Sequence, residues 1–242
     1  MAALRRNSER AMFLESPAPQ KVLSAFGDTQ AQSAKGAIIL ARALIATGDV
    51  RAARTALLHL WRTSKLELDD EQAIIDEFSR VLSWDDHRVR MEQMMFDERT
   101  TSAGRVAGLA GATGLFKAWV AVSKGDKNAA ELLNDLPAAQ QKSPAYLFAR
   151  AQYLRKAEKW RDAAKTIMKA PADANLLVDP DAWWNERRII ARGLIDIGDT
   201  KRAYSLSASH SAESPSVAAE AEFHAGWIAL RALNEPGIAA KH

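Results

Sequence analysis

The chain has no cysteine among its 242 residues. Disulfides, thiolate nucleophiles and cysteine-ligated metals are thereby excluded. Glycine and proline are sparse, at 12 and 8. No alternation of Val, Ile, Thr and Tyr is long enough to build a sheet. No apolar run is fit to cross a bilayer: residues 37–47 are too few, and residues 106–122 are broken by glycines and Lys117. The first twenty residues carry charge but no apolar core of signal-peptide length, so no export signal is read in this chain. Neither sign of charge dominates. The 33 basic and 30 acidic residues are mixed along the chain, unlike the clustered basic stripe of a nucleic-acid binder. Neither nucleic acid nor a membrane span is therefore expected. Walker A, GxGxxG, HExxH and the nucleophile elbow are all missing. The five histidines (His59, His87, His210, His224, His242) have no metal-ligand spacing. No catalytic residue, metal or cofactor is assigned.

What remains is 48% hydrophobic and 26% charged, rich in Ala, Leu, Arg, Lys and Glu, which favours helix. Residues 179–204 form the clearest unit. Asp179, Pro180 and Asp181 supply a helix start. Trp183, Ile190, Leu194 and Ile197 recur at helical spacing, and Gly198 and Asp199 close this helix and open the next. Looser copies recur: Gly48 with Asp49, Gly125 with Asp126, Glu158 with Lys159, and Asn234 to Pro236, each followed by alanines. A weaker version lies at Trp84 to Asp86. Offsets of roughly 33–41 residues are those of helical-hairpin solenoids.

The expected fold is all-α: a superhelical stack of antiparallel helix hairpins, a TPR-like α-solenoid. Residues 1–36 are read as short helices and a loop, and residues 37–242 as the repeat domain. Its pairs are 37–47 with 50–62, 69–83 with 85–97, 101–124 with 126–135, 144–156 with 159–169, 181–197 with 199–208, and 215–233 with a helix from near Pro236. The last of the six pairs is read as truncated and uncapped, an end that invites self-association. In 215–233, Val217, Ala221, His224 and Ile228 form one stripe and Phe223, Trp227 and Leu230 another, so packing on several sides is expected.

Three residues are candidate contacts, structural or with a glycan: Trp184, Glu186 and Arg187. Arg187 falls within the stripe of Trp183, Ile190 and Leu194 and must be paired or snorkel; an acid on a neighbouring helix is the expected partner. Trp184 offers a surface for sugar stacking if exposed, whereas the spacing of Trp183 marks it as core.

The strings WWNERR, ARGLIDIGD, KRAYSLSASH and AEAEFHAGWIALRALNEPGIAAKH between residues 179 and 242 resemble the superhelical domain of soluble lytic murein transglycosylases of the alphaproteobacterial type. The earlier part agrees only in repeat style. The resemblance implies a periplasmic protein acting on the glycan strands of peptidoglycan, with the chemistry in a separate lysozyme-like domain. That family's catalytic Glu-Ser pair and Gly-Ala-x-Gly-Leu-Met-Gln string have only decoys here. Glu15 and Ser16 form the pair without the string. Gly111 to Leu115 opens the string, but Phe116 and Lys117 replace Met-Gln, and Glu98 upstream is followed by Arg99. The glycines at 104, 108, 111 and 114 are read instead as close-packing positions within one helix. No activity is expected of this chain alone. The other reading is a TPR-like adaptor for a peptide or partner protein.

Overall fold

The computed structural model describes residues 2–242. Among the described residues there are fifteen α-helices, two short 3-10 helices and no strand, so the chain is all-α. It divides into two compact units. One holds the chain up to Gln93 together with Ser102–Gly111; the other holds Met94–Thr101 and Ala112–His242.

In the first unit, α1 (Ala2–Glu15), α2 (Pro19–Phe26) and α4 (Val50–Thr63) all pack on α3 (Ala34–Ala46). The run Ala37, Ile38, Ile39, Leu40 and Ala41 on α3 is buried on every side, as a helix surrounded by others must be. The boundary expected at residues 36 and 37 falls inside this helix. Glu9 of α1 is buried and accepts from the backbone N–H of Gln32 at 2.9 Å and from Ser33 Oγ at 2.5 Å. Ser33 in turn caps α3 by accepting from Gly36 N.

Beyond them lie α5 (Leu68–Phe78), α6 (Trp84–Phe96) and α7 (Thr100–Val106). Glu71 of α5 and Arg90 of α6 are fully buried and paired at 2.5 Å. Arg105 donates to the other oxygen of Glu71, and Arg90 lies 4.3 Å from the Trp61 ring centroid. The buried Glu71 and Arg90 are tolerable there because each has the opposite charge beside it, while Arg105 keeps part of its side chain in solvent.

The second unit contains α8 (Thr113–Lys124), α9 (Ala129–Asn134), α10 (Pro144–Lys156), α11 (Trp160–Ile167), α12 (Pro180–Asp196), α13 (Thr200–Ala208), α14 (Pro215–Arg231) and α15 (Pro236–Lys241). Proline opens α10, α12, α14 and α15, where its missing N–H costs nothing. Helices pair across tight turns: α8 with α9, α10 with α11, α12 with α13, and α14 with α15. Between pairs, α10 packs on α8 and α12, and α14 packs on α12 and α13.

One turn geometry recurs. Gly48, Gly125, Gly198 and the non-glycines Glu98 and Glu158 all take positive φ, between 55° and 89°. In each case the next N–H reaches back five residues to a helix carbonyl: Asp49 to Leu44, Arg99 to Met94, Asp126 to Ala121, Lys159 to Leu154, and Asp199 to Leu194. This is a Schellman closure, which satisfies carbonyls that the helix end leaves open. Asn234 also takes a positive φ, 58°, but its closure is wider: Glu235 N reaches back six residues to Ala229 O.

Two expectations need correction. Residues 101–124 are not one helix: α7 and α8 are separate, because Gly111 at φ 59° breaks the path between them. The close approach expected of these glycines holds at Gly114, whose missing Cβ leaves room for the Leu136 side chain. At Gly108 and Gly111 a Cβ would meet nothing. The weak repeat at Trp84 to Asp86 is also a different structure. Asp86 there accepts from Ser83 N and Ser83 Oγ, both at 2.8 Å, and Trp84 is 65% exposed.

Candidate functional site

The polar cavity with the richest chemistry lies in the second unit, where α8, α10 and α12 come side by side with residues 95–98. Its volume is about 280 Å³. Aromatic rings form the floor. Trp119 of α8 stacks on Phe148 of α10 with centroids 5.2 Å apart and planes 11° apart. Phe96 stands edge-on to both, at 5.0 and 4.9 Å, and Trp183 closes the row edge-on to Phe148 at 5.1 Å. Offset stacks and T-shaped pairs are favoured by the ring quadrupoles, so this row is a rigid floor.

The rim is polar. Ser123, Gln152, Arg155, Asn185, Glu186 and Glu98 all line the cavity. The backbone of Glu98 is in the left-handed region, which a non-glycine residue adopts at a cost. Lys156 ties α10 to the end of α8 by donating to the carbonyls of Val122 and Ser123 at 2.6 and 2.9 Å. A cation at a helix C-terminus is favourable there.

Glu186 is the electrostatic centre. It is 3% exposed and accepts from Arg155 Nε at 2.5 Å. Burial pushes its carboxyl above the usual range, against the opposing pull of Arg155, Gln152 and Lys156. Its position is fixed by the contact with the Arg155 guanidinium. The pair uses the Nε of Arg155, and Arg155 itself lines the cavity.

Of the three residues singled out by sequence, Glu186 reaches this cavity and the other two do not. Trp184 is fully buried, and its indole N–H donates to Glu220 Oε2 at 3.2 Å. It has no face free for a sugar, because α12 is covered on the side of α14 as well as on that of α10. Arg187 is buried at 3% exposure, but among the described residues the expected acidic partner is absent. Its Nη1 donates at 3.5 Å to the Leu206 carbonyl and lies 3.5 Å from Met168 Sδ, while its Nε has no partner. The Leu206 carbonyl belongs to the last turn of α13, whose negative dipole end offsets part of the charge. Burial lowers the Arg187 pKa to about 10.

Sequence reading passed over Trp119, Phe148 and Gln152. The signal was faint. Phe148 and Gln152 are four residues apart on α10, and Glu186 and Asn185 sit at the same level of α12, but a cross-helix row has no periodicity within any one segment. Of the decoy residues, Glu98 lines the cavity, whereas Glu15 ends α1 and Ser16 follows it at φ 45°.

Among the described residues no group of His, Asp or Glu is arranged to hold a metal ion, and no helix is long and apolar enough to cross a membrane. No protein-family model, curated protein or solved structure matches the chain.

Proposed function

We propose that this chain is a ligand-binding helical scaffold of the TPR-like α-solenoid kind, and that its ligand is the glycan strand of peptidoglycan. The carrying observation is the cavity across α8, α10 and α12. These are the first helices of three successive pairs, and their facing side chains put amides, a hydroxyl and an arginine around an aromatic floor. Amides and hydroxyls suit N-acetylated sugars, and the terminal amino groups of Arg155 suit the carboxylates of the attached lactyl and peptide groups. The recurring Schellman turn supports a repeat architecture. The likeness of residues 179–242 to the superhelical part of soluble lytic transglycosylases supports the same ligand class and a periplasmic setting. On this reading the chain shapes and holds the strand, and bond cleavage belongs to a separate lysozyme-like domain.

Sedimentation with insoluble peptidoglycan tests the reading. The chain is expected in the pellet, and its release of anhydro-muropeptides from sacculi is expected to be nil. Recovery in the supernatant would sink the binding role, and anhydro products would overturn the assignment of cleavage to another domain.

A second reading, a protein-interaction adaptor, is favoured by a different feature. Phe223, Trp227 and Leu230 of α14 are 66%, 46% and 47% exposed. The helix was expected to bury this stripe, yet α12 and α15 beside it leave about half or more of each side chain exposed. An apolar ridge of this kind suits a protein partner or a second copy of the chain. A chain that ignores peptidoglycan but self-associates through this ridge, as seen by sedimentation velocity with and without Trp227→Glu, would favour the adaptor.

A further inference from the structure

We infer that the groove between α11 and α13 is an oxyanion-binding site, taking a phosphate or carboxylate group of a small ligand. It is built from the second helices of their pairs, whereas the glycan cavity is built from first helices, and it does not depend on the glycan reading. The groove has a volume of about 600 Å³. Four cations line it, Arg161, Lys165, Lys201 and Arg202, against two carboxylates, Asp162 and Asp199. Asp199 is already taken: Arg161 Nε and Arg202 Nη1 both donate to its Oδ2 at 3.0 Å. Among the described residues Lys165 and Lys201 have no carboxylate partner.

Behind the groove wall lies a fifth cation. Met168 and Leu206 line the groove, and these are the two residues that Arg187 Nη1 meets. Arg187 is nearly completely buried, its Nε is without a partner, and no acid is paired with it. A buried guanidinium whose nearest acceptors are a thioether and one long carbonyl bond is under-satisfied. Met168 is 42% exposed, so its unbranched side chain can swing aside without opening the core. An oxyanion entering there exchanges a weak sulfur contact for a charge-assisted hydrogen bond to Arg187, while Lys165 and Lys201 hold its outer oxygens.

The test titrates the chain with inorganic phosphate and, in a parallel arm, acetate, at constant ionic strength held with chloride so that screening is unchanged. Binding is read from ¹H–¹⁵N spectra that include the arginine Nε–H signals. Saturable binding of either anion is expected, with movement of the Arg187 Nε signal; the arm that saturates at lower concentration names the preferred group. The Lys165→Ala/Lys201→Ala variant, altered only at the surface, is expected to bind about tenfold more weakly. Met168→Ala, which bares Arg187, is expected to bind about threefold more tightly. No saturation with either anion overturns the site, as does equal binding by the double-lysine variant. An unmoved Arg187 signal with Met168→Ala unchanged overturns the role of the buried cation.

Discussion

Glu186 and Arg187 are adjacent in the chain and equally buried, at 3% exposure each, yet they serve different sides of α12. Glu186 turns to Arg155 on α10 at 2.5 Å, and Arg187 turns to the end of α13 at 3.5 Å. The helical step of about 100° between neighbours separates them. One side of α12 therefore carries a matched charge in a cavity, and the other carries a cation without a carboxylate.

The first expectation concerns pH. Burial raises the folded-state pKa of Glu186 above its ordinary 4.5. The folded state then holds a proton that the unfolded state has released, so this contribution to stability is complete below about pH 4.5 and is lost as pH rises through the folded value. Glu186→Gln removes that loss. Urea denaturation at stepped pH is expected to show a shallower fall in stability toward neutrality in the variant. The buried Glu92 is raised for the same reason and keeps part of the slope. Identical slopes in variant and parent would contradict the assignment.

Arg155→Met strands Glu186 without its cation. Breaking a buried pair on one side is expected to cost about 3 kcal/mol in denaturant midpoint analysis. The Glu186 carboxyl is expected to titrate higher still, since the main opposing pull is gone. A loss below about 0.5 kcal/mol, the level of an exposed pair, would show that the contact is incidental.

Asp86 has the opposite sign. Burial alone would raise its carboxyl, but Arg54, Ser83 and Arg62 overcome this and hold it at about 2, below the ordinary 3.8. Its stabilisation is present above about pH 3.8 and is lost as pH falls toward 2. Asp86→Asn is expected to lower stability at neutral pH by about 3 kcal/mol and to remove part of the acid transition. A variant with an unchanged acid midpoint would refute this.

How much of this was legible beforehand varies by residue. The all-helical character followed from composition, and the start at Pro180 followed from proline's preference for the first helical turn. Turns with glycine were visible at Gly48, Gly125 and Gly198. The turn at Glu98 was not, because its left-handed backbone is imposed by the helix closure and leaves no glycine in the sequence. The split between α7 and α8 was missed because a run of small residues reads equally as a close-packed helix or as a turn. Arg187 was placed correctly on the apolar face, but its missing acid was hidden, since partners on other helices have no signature in the segment itself. The cavity was illegible for the same reason.

Gly193 tests the packing of α11 on α12. A Cβ there would run into the Trp160 ring. Gly193→Ala is expected to cost about 1–3 kcal/mol, the penalty of overpacking, despite alanine's better helix propensity. A stabilised variant, read by thermal unfolding, would mean that Trp160 moves aside freely.

The central claim is that the cavity across α8, α10 and α12 holds a glycan strand. Gln152→Ala/Asn185→Ala tests it most directly, because both side chains line the cavity rim and neither fills the core. Isothermal titration with soluble peptidoglycan glycan fragments is expected to give saturable binding to the parent chain and binding weaker by at least about tenfold in the variant. Equal affinity in the two, or no saturable binding by the parent, would contradict the claim.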